Sequence, residues 1–149
     1  MIRKAKIEDI KQIQGMINFF ASKDLMLARS LNELYENIRD FWVYEERGKV
    51  LGCSALHISW ENLAEIKSVA VAKNRQKKGI GKGLIQACLQ EARSLGAKQI
   101  FVLTYQSSFF KRFGFKRIKN SSLPHKIWAE CINCCKFPNC QEVAMIKRL

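Results

Sequence analysis

One basic turn gathers the residues best suited to chemistry. Val69-Ala70-Val71 closes an apolar run, and Ala72-Lys73-Asn74-Arg75-Gln76-Lys77-Lys78-Gly79-Ile80-Gly81-Lys82-Gly83-Leu84 follows it. The pattern reads as a buried strand, a glycine-containing turn and then a helix. The start of a helix leaves backbone N–H groups unpaired, and the helix dipole favours an anion there. Gly79 and Gly81 let the backbone approach a phosphate, while Lys77, Lys78 and Lys82 surround it with positive charge. This is an anion cradle, most naturally for a pyrophosphate. Two familiar cradles are excluded. A dinucleotide fingerprint needs a third glycine where Leu84 stands. A Walker loop needs Ser or Thr after Gly81-Lys82, where Gly83 stands.

The charge points to the same segment. The chain has 149 residues and a formal net charge of +13. From Ile66 to Ala129 there are 14 Lys/Arg and one acid, Glu91, so the whole net charge falls there. Such a segment suits nucleic acid, an anionic membrane or an anionic ligand. Neither a helix-turn-helix nor an aromatic RNA-binding strand is evident, which disfavours nucleic acid. No apolar run approaches the roughly 18 residues of a membrane span. The first residues, Met1 to Ile7, lack the apolar core of a signal peptide. A cytoplasmic chain is the expectation.

Six cysteines add a second candidate chemistry. Cys53 and Cys88 fall on a strand and a helix face and read as core residues. Cys131, Cys134, Cys135 and Cys140 form a cluster that zinc or packed, redox-sensitive thiols would explain. Adjacent Cys134 and Cys135 rarely face one metal together, and no second Cys-x-x-Cys is present, so no metal is expected. His125 could supply a ligand or line a pocket; His57, in a strand, reads as structural.

These groups need a frame, and the chain reads as mixed α and β throughout. Ile2 to Ile7 alternates as a strand. Ile10, Ile13, Ile17 and Phe20 mark one face of a helix. Ser30 and Glu33 have capping-box spacing, opening a helix to about Arg39. Strands follow at Phe41–Glu45, Val50–Trp60 and Ala64–Val71, the first two as a hairpin across Arg47-Gly48-Lys49. A helix is expected from about Lys82 to Leu95, with Leu84, Cys88, Ala92 and Leu95 on one face and Gly96 ending it. Then come a strand at Gln99–Thr104, a short helix capped by Ser107 or Ser108 and running to Phe113, and strands at Phe115–Ile118 and Glu142–Lys147. The order is βααβββαβαββ. It implies one α/β domain over residues 1–149, including the Cys-containing segment 121–149. Its sheet is mixed, mostly antiparallel, with six to seven strands and helices on both faces.

Gln76-x-x-Gly79-x-Gly81 in this setting resembles the Q/R-x-x-G-x-G/A motif of the GNAT acetyltransferases. The resemblance sharpens at Leu27-Ala28-Arg29-Ser30, at Leu103-Thr104-Tyr105-Gln106 with Phe109-Phe110-Lys111-Arg112-Phe113-Gly114-Phe115, and at Leu123 to Cys131 with Lys136-Phe137-Pro138. These stretches resemble the short amino-acid N-acetyltransferases of the N-acetylglutamate synthase type.

The resemblance implies acetyl transfer from acetyl-CoA, as co-substrate, to the α-amine of glutamate, the opening step of arginine biosynthesis. It implies a GNAT fold splayed between Ala64–Val71 and Gln99–Thr104. Cofactor contacts would come from Val69, Ala70, Val71, Gln76, Lys77, Lys78, Gly79, Ile80, Gly81, Lys82 and Phe110. Glu65 stands where the family often has its general base, and a surface carboxylate reads equally well there. The usual acidic tyrosine is replaced by Phe110. Tyr105 is the nearest phenol, as acid or as a packing residue, and solvent is the other proton source. For a dicarboxylate acceptor the cationic partners are Arg29 first, then Lys67 and Lys126. The partner is thus a small amino acid, with no nucleic acid and no membrane; a homodimer is left open. Another small amine or a protein amine is the alternative acceptor, and a nucleic-acid-binding protein without activity the remote one.

Overall fold

The computed structural model describes residues 1–122 and 142–149. The elements follow the expected order: β1 (Ile2–Lys4), α1 (Ile10–Ala21), α2 (Leu31–Glu36), β2 (Phe41–Glu46), β3 (Lys49–Trp60), β4 (Leu63–Val71), α3 (Ile80–Ser94), β5 (Gln99–Thr104), α4 (Ser107–Lys111), β6 (Lys116–Ile118) and β7 (Val143–Arg148). Among the described residues seven strands form one sheet, in the order β1-β2-β3-β4-β5-β7-β6. Only the β4–β5 pairing is parallel; α3 provides the crossover between them.

Alternation along β3 assigns the two faces. Cys53 and Ala55 join Ile10, Ile13, Ile17 and Phe20 of α1 and Leu34 of α2 in one core. Leu56 joins Ile85, Cys88, Leu89 and Ala92 of α3 and Phe110 of α4 in the other. Burying each such large apolar side chain is worth about 1.5–3 kcal/mol. Cys53 and Cys88 are both buried, as expected, and burial pushes each thiol up to about 12. Neither supplies a thiolate at neutral pH.

Polar contacts fix the ends of these elements. Arg3 places Nη1 and Nη2 on the two oxygens of buried Asp9, at 2.8 and 3.0 Å, and Nη2 reaches Glu45 at 2.7 Å. Asp9 also accepts from the Lys6 amide at 2.7 Å. That bond turns the chain into α1, so the first strand ends at Lys4 rather than Ile7. Ser30 caps α2 through the Glu33 amide at 3.1 Å. The helix stops at Glu36, and a 3-10 turn at Ile38–Asp40 replaces its expected last turn.

Two other local expectations are corrected. Leu95 is 61% exposed, because α3 ends at Ser94 and the chain turns away at Gly96. Gln106, not a serine, precedes α4, and Ser107 is already helical.

The sheet opens between β4 and β5. The β4–β5 ladder ends at Ile66–Val102, although β4 continues to Val71. Beyond that point Leu103 and Thr104 pair only with β7. On its other side β4 bulges: Lys67 faces Ala55 and Ala70 faces Cys53, leaving Ser68 and Val69 opposite Ser54 alone. Ser68 takes φ +56°, a left-handed conformation unusual for a side-chain-bearing residue. Its carbonyl accepts from the Cys53 thiol at 3.3 Å. Bulge and parting therefore coincide on the same stretch of β4.

Candidate active site

The cradle forms between the end of β4 and the start of α3. A 3-10 turn at Lys73–Arg75 leads to Gln76, and Lys77 and Gly79 then take φ +63° and +83°. Gly79 is the N-cap of α3, and a side chain there would be strained by the φ alone. The first intrahelical acceptor is the Gly79 carbonyl, bonded by the Gly83 amide at 3.0 Å. Helix geometry leaves the amides of Ile80, Gly81 and Lys82 without intrahelical partners. Gly79, the N-cap, has no side chain with which to cap them.

Gln76 Nε2 donates to the Val71 carbonyl at 3.1 Å and ties the turn back to the strand. Lys77, Lys78 and Lys82 are exposed around it, while Arg75 is held aside by Glu46 at 2.9 Å. Val69 and Val71 lie half-buried on the free edge of the bulge; Ala70 turns into the α1 core, and Ile80 is buried.

The two rings of α4 are placed differently. Phe110 is 3% exposed and packs edge-on against Phe115 and Phe109 in the core. Phe109 is the ring beside the cradle: a Cβ on Gly81 would lie 3.4 Å from it and 3.8 Å from Val71 Cγ2. The sequence signal for Phe109 was the Phe-Phe pair itself, since adjacent residues on so short a helix face different ways. Tyr105 is half-buried just past β5, across the parting from β4.

An open cleft lies on the α1–α2 face of the sheet, lined in part by Arg29, Glu33, Asp40, His57, Lys67 and Ser68. Ser68 joins it to the bulge. The main chain at Arg29 is set by α1: Asn18 accepts from its amide at 3.3 Å, and Gln14 donates to its carbonyl at 3.2 Å. Its guanidinium meets Glu33 at 2.6 Å. Lys67 Nζ lies 3.8 Å from Glu65 Oε1. Glu65 is buried in β4, directly across the ladder from His57.

The structure thus brings Arg29 and Lys67 to one cleft and sets Glu65 beside it. Sequence reasoning missed Glu33, Asp40 and the pairing of His57, whose Nδ1 lies 2.7 Å from Asp40 Oδ2. Lys126, His125 and the cluster Cys131, Cys134, Cys135 and Cys140 lie outside the described residues. Among the described residues no three His, Cys, Asp or Glu side chains gather to hold a metal, and no helix is long and apolar enough to cross a membrane.

Comparison with known proteins places this geometry. Residues 37–117 match the acetyltransferase (GNAT) domain family. An N-acetyltransferase of Chlorobaculum tepidum is 40% identical over 148 residues, covering 99% of this chain and 96% of that protein. An amino-acid acetyltransferase of Mycobacterium tuberculosis is 37% identical over 133 residues, 87% of this chain and 76% of the relative. The solved structure of Rv2747 from M. tuberculosis, in complex with CoA and NLQ, superposes with a TM-score of 0.88 at 32% identity and covers 100% of this chain and 99% of that one. N-acetylglutamate synthase from Neisseria gonorrhoeae, complexed with coenzyme A and N-acetyl-glutamate, gives 0.88 at 25% identity; this chain spans 35% of its length. A bulged β4 parting from β5, a glycine-started α3 and these relatives lead to one conclusion: the chain belongs to the GNAT acetyltransferase family and is an acyltransferase.

Proposed function

We propose that this acetyltransferase transfers the acetyl group of acetyl-CoA to the α-amine of an amino acid, with L-glutamate as the acceptor. The product, N-acetylglutamate, opens arginine biosynthesis. The observation that carries the reading is the cleft lined by Arg29 and Lys67, which reaches the β4 bulge at Ser68. A dicarboxylate needs two cationic partners, and an acceptor bound there would present its amine at the parting of β4 and β5.

Acetyl-CoA fits the cradle. Its pyrophosphate would be held by the amides of Ile80, Gly81 and Lys82 and the charges of Lys77, Lys78 and Lys82. Its thioester supplies the electrophilic carbon. The free edge of β4 at Val69 and Val71 offers backbone groups to the pantetheine arm. The lost β4–β5 pairing leaves room for it.

Direct transfer needs a neutral amine, a polarised carbonyl and a proton for the thiolate. Glu65, buried beside the cleft, supports removal of the amine's proton only through an intervening group. Tyr105, across the parting, protonates the thiolate. The amino-acid acetyltransferases among the relatives support an amino-acid acceptor.

A second acceptor class has one observation in its favour. Glu33 and Asp40 bring two carboxylates to the same cleft, and Glu33 already engages Arg29. That would suit another small amine or a protein amine. A thiol-release assay with acetyl-CoA and a panel of amino acids, polyamines and peptides decides between them. Glutamate should give the highest kcat/KM; activity confined to another acceptor overturns the proposal.

A further inference from the structure

We infer that His57, oriented by Asp40, is the group that takes the proton from the acceptor amine. The inference rests on the cleft being the acceptor site. His57 comes from β3 and Asp40 from the 3-10 turn after α2, so two separate elements meet at 2.7 Å. A carboxylate only accepts, so the imidazole donates from Nδ1 and its Nε2 carries the free lone pair. Both residues line the cleft, and Glu65 is not among its lining residues. Glu65 is instead the direct cross-strand partner of His57 on the same face of the sheet. His57 is therefore placed to touch an acceptor in the cleft, with Glu65 beside it in the sheet. The charged groups around the ring are Asp40 from the turn, Arg29 and Glu33 at the start of α2, and Glu65 and Lys67 from β4.

The proton balance is complete without an added reagent. The acceptor arrives as an ammonium and loses one proton to His57 Nε2. The neutral amine attacks the thioester carbon; the C–N bond forms and the C–S bond breaks. The departing thiolate takes its proton from Tyr105, whose phenolate recovers the second nitrogen proton, giving CoA thiol. The imidazolium, held beside the Asp40 carboxylate, returns its proton to water through the open side of the cleft. One amide, one thiol and one proton result.

The test uses whichever amine of the panel is the best acceptor, so failure of the glutamate reading leaves it intact. His57→Gln should lower kcat at pH 7 about 10²- to 10³-fold with the acetyl-CoA KM within about twofold of the parent. Its remaining activity should climb about tenfold per pH unit as bulk solvent deprotonates the amine, a steeper dependence than the parent's. Asp40→Asn keeps the ring and should lower kcat about tenfold. Nitrogen NMR of the parent provides a readout independent of turnover and of how the variants fold: it should show Nδ1 protonated and Nε2 free. A His57→Gln enzyme within about threefold of the parent with an unchanged pH profile overturns the inference. So does an Nε2–H tautomer in the parent.

Discussion

The cradle runs through consecutive residues from Lys73 to Lys82 and offers mostly backbone N–H groups. The cleft draws on Arg29 ahead of α2, on α2, the turn after it, and β2, β3 and β4, and offers mostly side chains. Ser68, in the β4 bulge that leads toward the cradle, also lines the cleft, yet cradle and cleft answer to different physics. A backbone site depends on φ at a few positions and on the helix beginning at Gly79. A side-chain site depends on every element that sets its residues being in place. GNAT chemistry needs both, because the acetyl donor offers a constant handle in its pyrophosphate while the acceptor has to be discriminated.

The sharpest way to separate them is by charge. Reversing Lys77, Lys78 and Lys82 to Glu should raise the KM for acetyl-CoA about 100-fold, roughly 2.7 kcal/mol. The acceptor KM should stay within about twofold. All three side chains are exposed, so the thermal midpoint should barely move. Steady-state kinetics at two salt concentrations check this, and the effect should shrink at high salt. Arg29→Ala is the mirror experiment: the glutamate KM rises about 30-fold while that of acetyl-CoA is nearly unchanged. If neither constant moves, the acceptor lies elsewhere.

A smaller, indirect effect comes through Asp9. The Arg3 guanidinium holds the Asp9 carboxyl below the usual carboxylate range. The stability it contributes is therefore present above about pH 4 and is lost as pH falls through the lower native value. Asp9→Asn should cost about 2 kcal/mol at pH 7, with the difference from the parent narrowing in acid. Melting curves from pH 7 to pH 2 report it. Asp9 anchors the start of α1, whose Gln14 and Asn18 hold Arg29. Loosening it should raise the glutamate KM before the acetyl-CoA KM.

The same contrast explains how much was legible from the residues alone. The element order was readable because apolar spacing, Ser30 and Gly96 act locally. The cradle was readable because its parts are contiguous and its turn demands glycine. Arg29 and Lys67 were reachable as isolated cations for a dicarboxylate, but their convergence on one cleft was not. The His57–Asp40 pair escaped because 17 residues separate its members and the turn at Ile38–Asp40, which presents Asp40, replaced a helical turn the pattern had extended. Which of Phe109 and Phe110 turns into the core was not legible, because periodicity is too weak a guide in a five-residue helix. The Ser68 bulge carries no glycine or proline to announce it.

Glu91, the lone acid of the basic segment, remains. Trp42 donates its indole N–H to it at 2.9 Å, and Lys4 Nζ lies 3.1 Å away. Its charge is neutralised against the first two strands, on the flank of α3 away from the cradle turn. The consequence concerns encounter rather than affinity. A multiply charged donor drifting toward this half of the molecule meets a field with little local opposition, so its capture is guided before any contact forms and slows steeply as ionic strength rises.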